Sequence, residues 1–176
     1  MKNDSTAFTA TDLQGFLNDM IDHDRLALAD RLQKASDQLA EYGSRVTAGH
    51  GQGGASGAEW SAHEVLAHIA VLSKFYGVVF HKVSSGKMTE LDLLGNVGLR
   101  DAMDEQMAQI EPQELIRMAL EDHARTIKGL RAADAASMQR KVIVDGGETM
   151  TAEQVARLPL ISHLELHIDQ LKRALG

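Results

Sequence analysis

Four separate stretches of this chain space their apolar residues three and four apart, the period of an amphipathic helix, and four such stripes are buried most readily against one another. The first begins near Thr9 or Thr11 and runs to about Val46 on Leu13, Phe16, Leu17, Met20, Ala27, Leu28, Leu32 and Leu39. The second follows Trp60, where Ser61 and Glu64 form a capping box, and carries Val65, Leu66, Ile69, Leu72, Tyr76, Val79 and Val83. The third opens on Pro112, which suits a first helical turn, and presents Leu115, Ile116, Ala119, Leu120, Ile127 and Leu130 before ending near residue 133. The fourth spans Leu158 to Ala174, with Leu160, Leu164, Leu171 and Leu175 on one face. Thr151 and Gln154 offer another capping box upstream of it, and Pro159 either kinks this last helix or restarts it. The expected fold is all-α: one four-helix-bundle domain over residues 1–176, with sites built from side chains on facing helices.

The connections are less regular. Residues 1–8 are small and polar, without periodicity, and are expected to fray. Thr47 to Ala58 holds five glycines and no large apolar residue, so it reads as a loop. Residues 84–111 form a long crossover between helices 2 and 3, with a short helix through either Leu91–Gly98 or Leu99–Gln109; Gly95 and Gly98 weaken the first choice. Met138–Val144 alternates weakly and meets Asp145-Gly146-Gly147, the signal of a tight turn, so a short hairpin precedes the last helix.

Charge and composition narrow the partners. A net charge of −7 and a pI near 5.6 provide no basic face for nucleic acid and disfavour anionic membranes. No apolar run approaches the ~20 residues of a membrane span, and the start lacks the apolar core of a signal peptide, so the cytoplasm is the expected address. Cysteine is absent, which removes disulfides and a protein thiolate and leaves a metal only nitrogen and oxygen ligands. Histidine, with eight residues, is the richer pool.

His163 and His167 lie one helical turn apart, about 5–6 Å at Cβ, and could grip one ion as half a site. His68 falls between Val65 and Leu72 and points at the core, as a satisfied core histidine or as a ligand. His123 sits on the third stripe, where an ordinary packed histidine and a group at or behind a metal are both open. His23, between Asp22 and Asp24, reads as a surface residue; His50, His63 and His81 read as solvated.

Trp60-Ser61-x-x-Glu64-Val65-Leu66-Ala67-His68-Ile69, followed about a hundred residues later by His163-x-x-x-His167-x-x-Gln170-Leu171, resembles the DinB-like superfamily. That group includes the metal-binding N-terminal domain of the mycothiol-dependent maleylpyruvate isomerases. The resemblance implies a bundle in which His68, His163 and His167 bind one divalent metal, zinc or nickel, with water in the remaining positions. Characterised members are thiol-dependent transferases or isomerases. The chain departs from the isomerase branch at His163, where that branch carries glutamate, and its length leaves no room for the second domain found there.

Three neutral imidazoles would leave an ion its full charge and an open position, the pattern of a catalytic metal. With no cysteine in the chain, an activated thiol would have to arrive on a low-molecular-weight cosubstrate. Helical phase makes Glu64 and Gln170 candidates for orienting His68 and His167, although Glu64 is also explained by its capping box. Four readings follow: a thiol-dependent transferase or isomerase acting on a small molecule; a hydrolase activating water; a non-catalytic, stress-associated metal-binding bundle closed by a fourth ligand, His123 first; and a bundle with no metal. A homodimer paired through exposed stripes is a further expectation.

Overall fold

The computed structural model describes residues 10–49, 60–93, 95 and 97–176, so the expected frayed start and most of the glycine-rich loop, His50 included, lie outside the described residues. Its long helices are α1 (Ala10–Gly43), α2 (Ala62–Ser84), α3 (Val97–Met107) and α4 (Pro112–Ala132), followed by the single turn α5 (Ala135–Met138). The last helical run has three joined pieces: α6 (Ala152–Val155), a π-helical segment (Ala156–Ser162) and α7 (His163–Ala174). Helix α4 packs against both α1 and α2, and α7 also packs against both, which sets α1 and α2 on a diagonal of the bundle. Consecutive helices on a diagonal cannot be joined by a tight hairpin turn, and the long link after α1 follows from that placement. Leu28, Leu32 and Leu39 of α1, Leu66, Ile69, Leu72 and Phe80 of α2, Leu115 and Leu130 of α4 and Leu164 and Leu171 of α7 fill the centre, each essentially sealed from solvent.

The first stripe is only half used. Leu13, Phe16, Leu17 and Met20 are exposed, and so is Ala27, contrary to the expectation that the whole stripe is core. The reason is length: α1 has 34 residues and α4 has 21, so at 1.5 Å per residue α1 is about 51 Å long beside a partner of about 32 Å. Its first turns overhang the bundle. Helix α2 is, among the described residues, the one helix long and apolar enough to cross a membrane, but it lies mostly buried among its neighbours, where a core helix needs that hydropathy.

His63 corrects a second expectation. It is buried, not solvated, because both ring nitrogens find partners: Nδ1 accepts the Gly49 N–H at 3.3 Å and Nε2 donates to the Ile110 carbonyl at 2.7 Å. It thereby ties the start of α2 to the ends of two connections. His81 and His23 are exposed, as expected.

The crossover contains strand β1 (Glu90–Leu91) and then α3, matching the second of the two short-helix options. Strands β2 (Lys141–Val144) and β3 (Thr149–Thr151) form the expected hairpin, with Val142 opposite Met150. The turn between them holds Gly146 at φ 76° and Gly147 at φ 84°, a conformation that glycine reaches without steric cost. Strand β1 pairs in parallel with β2, Glu90 opposite Ile143. That minor three-stranded sheet was not foreseen, since two residues are too few to show alternation; it fastens the crossover so that α3 lies on α2.

Pro159 neither stops nor restarts the last helix. It lies inside the π-helical segment, where His163 N–H reaches back five residues to the Leu158 carbonyl. A proline lacks an N–H and crowds the carbonyl four residues before it, and a wider turn accommodates both defects.

Candidate metal centre

Two helix starts place the histidines. At α2 the Ser61 hydroxyl accepts the Glu64 N–H at 3.2 Å while Glu64 Oε2 accepts the Ser61 N–H at 2.7 Å, so the capping box that the sequence suggested is formed and fixes the phase of α2 up to His68. At α7 the Arg31 guanidinium of α1 grips the Glu165 carboxylate with two hydrogen bonds, of 2.6 and 3.1 Å, and reaches Ser162 Oγ at 3.4 Å. That fork holds the turn carrying His163 against α1.

Here His68, His163 and His167 converge, with one ligand nitrogen from each lying within 4.8 Å of the others. The ring of His167 is 4.6 Å from that of His68 and 4.7 Å from that of His163; His68 and His163 are 5.9 Å apart. Trp60 walls one side, its ring 4.8 Å from His68 and 6.3 Å from His167. Gln170 Oε1 accepts from His167 Nδ1 at 2.9 Å, which leaves the lone pair on Nε2. Burial, and then the neighbouring His68, depress the pKa of His167 to about 4, so its ring is neutral at neutral pH, the form in which imidazole binds metals.

The carboxylate on His68 comes from an unexpected place. Asp104 of α3 accepts the Nδ1 proton of His68 at 2.6 Å, an arrangement that fixes the ring and raises its basicity as a ligand. Sequence reasoning missed Asp104 because residues 84–111 hold six acidic residues and no spacing singles one out. The available signal was chemical: a metal-binding histidine wants an acceptor on its second nitrogen. Asp104→Asn is expected to weaken metal binding about 10–100-fold, read by competition with a chromogenic chelator. Unchanged affinity would show that the carboxylate charge is not used.

His123 is elsewhere. It is sealed in the core, with Nε2 at 2.8 Å from Ser73 Oγ and Nδ1 at 3.1 Å from Ser36 Oγ, so neither nitrogen is available to act as a fourth ligand or to support the cluster. Burial holds its pKa near 4. Among the described residues the two buried side-chain atoms without a hydrogen-bond partner are His167 Nε2 and Asp104 Oδ1, and both belong to this centre. An orphaned imidazole nitrogen sealed from water costs on the order of 1–3 kcal/mol unless something binds it, and a cation is what an unprotonated nitrogen accepts. The residues present therefore fit a divalent ion.

A model of the DinB superfamily matches residues 20–171. Among solved structures, the mycothiol-dependent maleylpyruvate isomerase is similar at TM-score 0.65 and 17% identity, over 85% of this chain and 60% of that one. A histidine-to-alanine variant of that enzyme matches at TM-score 0.65 and 16% identity, over the same 85% and 60%. The chain thus spans about 60% of the length of those structures, and at such identity the likeness is one of fold. No curated protein matches the chain.

Proposed function

The chain belongs to the DinB superfamily, and from that premise and the convergence of His68, His163 and His167 we propose that it is a divalent-metal-dependent enzyme using a low-molecular-weight thiol, a transferase or isomerase of small molecules in the cytoplasm. The observation that carries this reading is the buried, unpartnered Nε2 of His167 beside two further imidazoles. Zinc or nickel suits an all-nitrogen set of neutral ligands. When bound, such an ion lowers the pKa of a coordinated thiol or water.

The rest is the work of this chain. His68, His163 and His167 hold the ion, Asp104 and Gln170 keep two of the rings in the tautomer that presents Nε2, and Trp60 shields one flank from water. With both ring nitrogens of His123 held by serines, the centre keeps a position for an exchangeable ligand, which favours an enzyme over a closed storage site. The chain has no cysteine, so the thiol enters with a cosubstrate. The mycothiol dependence of the structurally similar isomerase supports that choice.

Purified protein is expected to hold about one equivalent of zinc or nickel after dialysis and to accelerate conjugation of a small thiol to a generic electrophile. Turnover that proceeds without thiol would replace this reading with a hydrolase. Protein that binds no metal would remove both.

A further inference from the structure

On the face of the bundle formed by α2 and α4 lies a second concavity of about 470 Å³, a size that fits a small organic ligand. Lys74, Val78, His81, Lys82 and Ser85 recur along one face of α2, and Asp122, Arg125 and Thr126 face them from α4, with Lys87 closing the end. Counting only permanent charges, four cations surround one carboxylate on a chain whose net charge is −7. Asp122, itself buried, binds Arg125 and lies 3.8 Å from Lys74, which leaves Lys82 and Lys87 with no acidic partner among the described residues. The positive end of the cavity is therefore uncompensated.

The concavity is built into the helix packing. Gly77 and Gly129 let α2 and α4 approach: a Cβ at Gly77 would meet Thr126 Oγ1 at 2.8 Å, and one at Gly129 would meet the His81 ring at 2.4 Å. The missing side chains let the His81 ring lie over α4. Val78, 39% exposed in the midst of these charges, adds an apolar floor. Lys82 is 14 residues beyond His68, about 21 Å along α2, so one small molecule at that end cannot also touch the histidine centre.

We propose that this cavity binds the phosphate dianion of a small phosphomonoester, with the ligand's apolar part over Val78. Ammonium groups act on a phosphate as point charges, and two of them without carboxylate partners suit a compact dianion better than a planar carboxylate, which prefers the guanidinium fork. The site is independent of the metal reading.

The test titrates the full-length protein with inorganic phosphate and with phenyl phosphate by calorimetry. Phenyl phosphate is expected to bind with a Kd below about 1 mM and inorganic phosphate more weakly, both losing affinity as salt rises. The double variant Lys82→Gln, Lys87→Gln, made at exposed positions that no packing depends on, is expected to lose at least about tenfold, while Lys128→Gln, at an exposed lysine outside the cavity, loses nothing. His167→Ala is expected to leave phosphate binding intact. No binding up to about 10 mM, equal loss in the Lys128→Gln control, or binding that disappears with His167→Ala would each overturn the proposal.

Discussion

His167→Ala protein is expected to emerge from dialysis without its metal, whereas the parent keeps about one equivalent. Two imidazoles remain in that variant, but the pair is no longer a three-point clamp, and the fall in affinity should exceed by far the about 10–100-fold expected from losing an orienting partner such as Asp104. The metal-free variant should unfold within about 1 kcal/mol of the metal-free parent, because the atom removed, Nε2, has no partner in the folded protein. Metal analysis and denaturant unfolding on the same preparations separate the two effects. Full metal retention by His167→Ala would place the ion elsewhere, and thiol conjugation would then have to be sought elsewhere too.

The second large effect is on acid stability. His123 has a folded pKa near 4, lowered by burial, against an ordinary value of 6.5 in the unfolded chain. The unfolded state therefore takes up a proton first as pH falls, so this depressed histidine is neutral at no cost above pH 6.5 and removes stability progressively below it, until the folded protein is itself protonated near pH 4. At about 1.4 kcal/mol per unit the loss over that window is about 3 kcal/mol. His167 shifts the same way, so the two are separated by substitution: His123→Asn can still hydrogen-bond Ser36 and Ser73 but does not titrate. In urea titrations of metal-free protein between pH 7 and 4, His123→Asn is expected to flatten the pH slope by about one proton relative to the parent. Parallel slopes would mean that His123 takes its proton as readily folded as unfolded.

What the sequence disclosed and what it hid have physical causes. The four helices were legible because apolar spacing over twenty or more residues leaves little choice of structure, and two starts were legible because Ser61 with Glu64 and Thr151 with Gln154 write their hydrogen bonds into the spelling. The three imidazoles came from spacing on α7, from phase on α2 and from the resemblance that joined them. Asp104 was hidden because its partner is 36 residues away and sits on a different helix, a pairing that only tertiary packing decides. His63 was misread because helical phase says which side a residue points to, not whether the Ile110 carbonyl and the Gly49 amide will be waiting there. The first turns of α1 were misread for the converse reason: their stripe is real, but no partner helix is long enough to cover it.

The widened coil around Pro159 has a consequence for how this molecule tolerates change. One extra residue per loop of that coil turns everything after it by about 100° around the axis, as a clock hand is advanced, and His163 and His167 point inward only with that advance included. Shortening the segment by a single position, for example by deleting exposed Leu158, would let the ladder close normally and swing both imidazoles off the centre while the rod stays intact. The residue count between the Thr151 cap and His163 is thus fixed by angle, whereas the connections between the bundle helices have only to be long enough.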